Sequence, residues 1–431
     1  MSSEHPLVES DAELLSSSQG LEPVEDTIRD SRRRRKLLTG IHTVARPVPG
    51  SRLLDRSAGS QIVPSGRLLS LDVFRGVTIA GMLLVNNPGS WSAVYPPLQH
   101  AEWHGWTPTD LIFPFFLFIV GVAMIFSFRT QLEKGMDRQR ILVKAAKRAA
   151  ILFGLGLMLH AFPWWKLDLS TLRIPGVLQR IALAFLLATP AVLWLRFRAQ
   201  ATLAAALLLG YWAVMRLVPV PGIGAGVWEP GMDLGAWVDR AVFGTSHLRP
   251  GTWDSLGLLS TVPATATVLL GVLTGQWLRS RASCERKVLV MLVGGCVGIA
   301  LGLLWDQLFP INKNLWTSSY TVFTTGMALL LLAGCYWLID VRGHRRWTYP
   351  FVLFGINAIL VYVLASLGDM MLHSIRVGAA GAMSAKTAIY KVFFASWLPP
   401  LNASLAYAAA CLLFWLLVMA VLHRRGIHVK I

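Results

Sequence analysis

Ten stretches of about twenty mainly apolar residues recur along this chain of 431 residues, and they leave few folds open. A helix of that length crosses a hydrocarbon core about 30 Å thick, and in lipid each backbone polar group must be paired within the segment itself. Successive windows place the spans near 68–87, 109–128, 141–160, 175–195, 200–218, 258–278, 288–306, 318–339, 349–368 and 402–423. The apolar segment 386–398 is too short for an eleventh span and reads as interfacial or re-entrant. The expected fold is an all-α polytopic membrane protein, its transmembrane domain running over 68–431.

Only 15% of the residues are charged, yet the formal net charge is +17. In a hydrophobic chain with its basic residues at helix ends, that excess expresses topology, and no nucleic acid partner is expected. Placing the loops alternately on two sides gives sixteen Lys and Arg on one side, C-terminal tail included, against eight on the other. By the positive-inside rule both termini are then cytoplasmic, and the loop from Pro88 to Thr107, with no Lys or Arg, faces away from the cytoplasm.

Residues 1–67 form the one long stretch without a hydrophobic segment and lack the apolar core of a signal peptide. Acidic residues dominate its first thirty positions, and the run Arg32 to Lys36 opens a basic second half. Such a segment buries too little apolar surface to fold alone, so a disordered cytoplasmic arm is expected, its basic run a solvated tail that helps fix topology or a binder of anionic membrane lipid headgroups. Cys296, Cys335 and Cys411 lie in spans and Cys284 in a cytoplasmic loop, a pattern that supports neither a disulfide nor a metal site.

Polar and ionisable residues within or beside spans are costly in lipid and so become functional candidates. Asp72 and Arg75, three apart, share a face of the first span, which ends in Asn86 and Asn87. The densest cluster follows: His100, Glu102, His104 and Asp110, interleaved with Trp91, Tyr95, Trp103 and Trp106. An interfacial belt accounts for the aromatics but not for two histidines and two carboxylates just before a span. His100 and His104 have chelating spacing only on a helix, which Gly105 and Pro108 disfavour, and no third ligand is evident. General acid–base work is therefore expected, without a metal.

Lys144, Lys147 and Arg148 make a basic face on the cytoplasmic half of the third span, suited to phosphates or to snorkelling. Arg180 sits inside the fourth span beside Gln179 and needs a partner or water there. Asp306 and the run Asn312, Lys313, Asn314 mark the outer end of the seventh span and the loop after it, and Asn357 lies inside the ninth.

The motifs LDVFRG at 71–76, VNNPG at 85–89, HAEWHGWTPTDLIFPFFLFIVG at 100–121, RIPGVLQRIAL at 173–183, GLLSTVPA at 257–264, INKNLWTSSY at 311–320 and FGINAILVYV at 354–363 together resemble the heparan-α-glucosaminide N-acetyltransferase family, bacterial relatives included. The resemblance implies a membrane-embedded acetyltransferase that takes acetyl from cytosolic acetyl-CoA and delivers it to an amino sugar, or the terminal glucosamine of a glycan, on the far side. It also implies a homodimer, in the inner membrane of a bacterium or the lysosomal membrane of a eukaryote. The family's active-site histidine matches His100 and its pocket asparagine matches Asn86.

With that chemistry, His100 either acts as a base toward the attacking amine or carries the acetyl group itself. Asn86 would donate to the developing oxyanion, and Asp110 would orient the imidazole. Lys144, Lys147 and Arg148 at the cytoplasmic mouth, with Arg180 deeper in, would hold the CoA phosphates. An amino-sugar transporter and an O-acetyltransferase of an envelope glycan are the competing readings.

Overall fold

The structure is a computed structural model that describes residues 68–249, 253–378 and 382–427, all within the unit Thr43–Ile431. The arm 1–67, with its basic run, lies outside the described residues. The described residues are mostly helical. Helices α1 (Leu69–Asn86), α2 (Ile112–Glu133), α3 (Arg138–His160), α4 (Val177–Trp194) and α5 (Phe197–Leu217) come first. A short α6 (Leu234–Phe243) precedes α7 (Thr261–Leu278), α8 (Cys284–Asp306) and α9 (Ser318–Cys335), which a π-helical turn prolongs to Val341. Then come α10 (Tyr349–Ile356), α11 (Ala358–Ser374), α12 (Ala385–Phe393) and α13 (Pro400–Arg424). The one sheet among the described residues is an antiparallel pair, β1 (Arg376–Val377) and β2 (Met383–Ser384), ahead of α12.

Eight of these helices are long and apolar enough to cross a membrane, or nine if α10 and α11 count as one bent span. Two of the ten expected spans differ from a simple apolar helix. The third segment forms a helix of 23 residues but carries Lys144, Lys147 and Arg148, too much charge for an apolar window. The ninth is broken, with a bend of 72° between its two halves. At nine residues, α12 is too short to cross.

The break at Asn357 explains the LDVFRG motif. A Cβ at Gly76 would lie 1.8 Å from the Phe351 carbonyl oxygen, and one at Gly355 would lie 2.1 Å from that of Asp72. Two glycines thus let α1 and α10 touch backbone to backbone, the usual device where helices pack without a hydrophobic drive. Arg75 donates to the Gly355 carbonyl at 3.2 Å and pairs with Asp72 at 3.3 Å, so it serves a carbonyl of the last turn before the bend.

Gly121 and Gly271 do the same for α2 and α7, against Val268 and Phe118. Residues of α2, α4, α7 and α9 make up much of the largest buried cluster, among them Leu117, Phe118, Ala184, Val268 and Leu332. Chain direction follows from contacts at the two ends. Glu133, ending α2, pairs with Arg279 just past α7 at 2.8 Å, whereas Arg180 in the first turn of α4 meets Gly257 and Ser260 just before α7. The three helices therefore start at one end, and α3 returns the chain to it from the other.

Candidate active site

At the end where α2 starts, Pro108–Leu111 form a 3-10 turn that places Asp110 under the loop from His100 to Thr107. The turn is a capping box: Asp110 Oδ2 accepts from the Thr107 backbone N–H at 3.1 Å and from its hydroxyl at 3.2 Å. The Ala101 N–H adds a bond to the same oxygen at 3.0 Å. These bonds aim the other oxygen, Oδ1, at His100 Nδ1, 2.7 Å away. The carboxylate is 1% exposed and the imidazole 47%, so a fixed buried anion orients a ring that solvent and substrate can reach.

A second loop closes on the first. Gly105, at φ +91°, gives its N–H to the Ile311 carbonyl at 2.7 Å, and Asn312 Nδ2 reaches His104 Nδ1 at 3.4 Å. Asn312 is fully buried, its Oδ1 accepting from the Leu315 N–H at 3.0 Å, and the turn it organises brings Lys313 to the cluster. Lys313 Nζ lies 3.2 Å from Asp110 Oδ1 and 2.8 Å from His100 Nδ1. Burial pulls its ammonium below the ordinary lysine range, Asp110 opposes this, and Arg249 adds to it.

The same turn carries a strained residue. Trp316 is buried at φ +52°, a left-handed conformation that bulky side chains rarely adopt. It is held by its Nε1–H bond to Thr267 Oγ1 at 3.2 Å and by the Arg180 guanidinium, 5.3 Å from its ring centre. Tyr320, in the first turn of α9, donates its hydroxyl to the Asp110 carbonyl and fixes that residue from below.

The structure unites His100 and Asp110 but not the other expected site residues. Asn86 is the exposed last residue of α1 and makes no hydrogen bond to the His100 cluster, while its buried neighbour Asn87 donates to the Leu83 carbonyl at 2.8 Å. Arg180 is 1% exposed, gives Nη2 to the Gly257 carbonyl at 3.0 Å and to Ser260 Oγ, and sits at the His100 end. Lys144, Lys147 and Arg148 are exposed on the opposite half of α3, where Lys144 reaches Met136 Sδ and Arg148 stacks on Phe185 at 5.3 Å. Arg180 therefore lies at the end of the helices away from these three cations. In the sequence Lys313 stands out only by its place inside INKNLWTSSY.

Fold and site together define an all-α polytopic membrane protein whose candidate centre is a histidine on a buried carboxylate, with a lysine against both. The profile described as "Heparan-alpha-glucosaminide N-acetyltransferase, catalytic" matches residues 67–294, and the chain belongs to that family. It is similar to heparan-alpha-glucosaminide N-acetyltransferase of Homo sapiens, 30% identical over 353 residues that cover 69% of this chain and 52% of the relative. The Mus musculus protein of the same name is also 30% identical, over 355 residues covering 69% and 53%. The chain spans about half the length of these curated relatives.

Proposed function

We propose that the chain is a membrane-embedded acetyltransferase that moves acetyl from acetyl-CoA to the amine of a glucosamine-type sugar. The observation that carries this reading is the His100–Asp110 pair at 2.7 Å, in a chain of this family. With Nδ1–H donated to Asp110, Nε2 keeps its lone pair. The unprotonated amine attacks the thioester carbonyl carbon, and His100 Nε2 takes the proton that the nitrogen sheds as the C–N bond forms. The C–S bond breaks, and the imidazolium returns that proton to the departing thiolate. The balance is N-acetyl sugar plus free CoA, and Asp110 stabilises the imidazolium between the two transfers.

Sidedness follows from reading ten crossings. Counting α3 and the bent α10–α11 as spans puts both chain ends on the side rich in Lys and Arg, and His100 on the other. The basic face of Lys144, Lys147 and Arg148 then opens to the cytoplasm, where acetyl-CoA arrives, and its charges suit the CoA phosphates. The membrane of residence is the bacterial inner membrane or the lysosomal membrane.

The test is transfer from radiolabelled acetyl-CoA to glucosamine by purified full-length protein in liposomes, wild type against His100→Ala. Label in N-acetylglucosamine with wild type alone supports the enzyme and its centre. No transfer to any of a panel of amino sugars, with CoA binding also undetectable, sinks the reading in favour of transport.

A further inference from the structure

His100 Nδ1 has two claimants. Asp110 Oδ1 stands 2.7 Å from it and Lys313 Nζ 2.8 Å, and a ring nitrogen can satisfy only one of them. Carrying its proton, it donates to the carboxylate; bare, it accepts from the ammonium. Lys313 Nζ also lies 3.2 Å from Asp110 Oδ1 and 3.2 Å from His100 Nε2, within reach of both ring nitrogens and of the carboxylate oxygen that faces the ring.

We propose that Lys313 is a positioning residue that acts through His100, its ammonium deciding which imidazole nitrogen stays free and how readily the ring takes a proton. The catalytic meaning rests on the acetyltransferase reading; the electrostatics stand without it. When the ammonium pairs with Asp110 Oδ1, Nδ1–H faces the carboxylate and Nε2 offers a lone pair, the state a base needs. When the ammonium moves to Nδ1, the ring proton sits on Nε2, and His100 offers a donor to the substrate instead. The two states differ by one tautomeric shift and by which atom Lys313 touches.

The fold invests in holding this amine. Buried Asn312 shapes the turn, Trp316 accepts a left-handed backbone beside it, and the side chain of Lys313 is mostly buried between the two loops. A lysine serving only to neutralise Asp110 has no need to stand as close to the ring as to the carboxylate. The charges around the ring are few: Asp110 ahead of α2, Lys313 itself, Arg249 acting on Lys313 from beyond α6, and exposed Glu102 and His104 on the loop of His100.

The experiment reads His100 directly and needs no substrate. Purified full-length protein in detergent is treated with diethyl pyrocarbonate across pH, and carbethoxylation at His100, separated from that at His104 by fragment-ion sequencing, is followed by mass spectrometry. Only the neutral ring reacts. Removing the cation in Lys313→Met leaves Asp110 to favour the imidazolium, so the midpoint is expected to rise by about one pH unit. Lys313→Arg should stay near wild type, and Asp110→Asn should shift the midpoint down, which shows that the assay senses the cluster.

Lys313→Gln repeats the test should the Met variant fail to fold. A midpoint unmoved in a folded Lys313→Met or Lys313→Gln protein overturns the proposal, even if the protein unfolds at lower temperature. In turnover, the acid limb of the pH–rate profile should shift with that midpoint and kcat should fall, while KM for the amine holds. A moved midpoint in a protein that acetylates no amine would keep the role of Lys313 and sink the proposed reaction instead.

Discussion

Arg173 grips Asp254 with two parallel bonds, Nε to Oδ2 at 2.7 Å and Nη2 to Oδ1 at 2.8 Å, and so ties the segment entering α4 to the segment entering α7. The Asp254 side chain is wholly buried and Arg173 a quarter exposed. Removing one partner of such a pair leaves the other's charge unpaired in a dry place, at a cost of about 2–4 kcal/mol, the lower part because Arg173 keeps some water. Asp254→Asn should therefore lower the unfolding temperature in detergent, and Arg173→Met with Asp254→Leu should recover most of the loss. Equal destabilisation by the single and double variants would show that the pair does not couple the two segments.

Asp110→Asn keeps the shape of the capping turn but removes the anion facing His100. An amide also offers its N–H to Nδ1, which favours the tautomer with Nε2 protonated. Transfer should fall by about 10²- to 10⁴-fold in kcat with little change in KM for the acceptor. Steady-state kinetics with circular dichroism as a folding control checks this; a loss confined to KM would move Asp110 from catalysis to binding.

The polar face of α3 is the clearest case where composition and geometry part. Lys144, Lys147 and Arg148 make it too charged for a simple apolar span, although its 23 residues lead from the end where α2 stops to the end where α4 starts. Neutralising it in Lys144→Gln/Lys147→Gln/Arg148→Gln should raise KM for acetyl-CoA about tenfold or more and spare kcat. Added salt should weaken acetyl-CoA binding by wild type more than by the triple variant. An unchanged KM would leave the face to lipid headgroups.

Sequence made the spans legible because hydropathy is a local property, and His100 with Asp110 legible because ten residues of loop separate them. Lys313 lies 213 positions from His100, and only the closure of two loops brings it there. Adjacent Asn86 and Asn87 read alike, yet the helix end turns one outward and buries the other against Leu83. Sequence gives the depth of Arg180 poorly; its place in the first turn of α4 puts it at the His100 end. The bend at Asn357 is hidden in an apolar run, since neither Gly355 nor Asn357 is a helix breaker strong enough to announce it.

Gly76 tests that bend. Its Cβ position lies 1.8 Å from the Phe351 carbonyl oxygen, which belongs to backbone and cannot swing aside. Gly76→Ala should separate α1 from α10 and cost about 1–3 kcal/mol or more, seen as a lower unfolding temperature or loss of monodisperse protein. Gly154→Ala, with nothing within 4 Å of the new Cβ, should be neutral or slightly stabilising. Similar behaviour of the two variants would contradict the close approach.

Asp239 on α6 gives the molecule a pH dependence of its own. Burial pushes its carboxyl up to about 6, against the Leu258 N–H and Arg180, which favour the anion, while Asp254 and Asp233 add to the rise. A carboxyl raised in the folded state binds protons that the unfolded chain, near 3.9, has already lost. Its share of stability is therefore present below about pH 4 and is lost as pH rises through about 6, a change on the order of 2 kcal/mol. Asp239→Asn cannot ionise and can still accept from the Leu258 N–H, now 2.7 Å from Oδ1. It should flatten the fall of unfolding temperature between pH 4 and about 7 and leave the variant more stable than wild type at pH 7.5. A wild-type unfolding temperature that instead climbs through this window, with the same slope in the variant, would mean that Asp239 is ionised throughout.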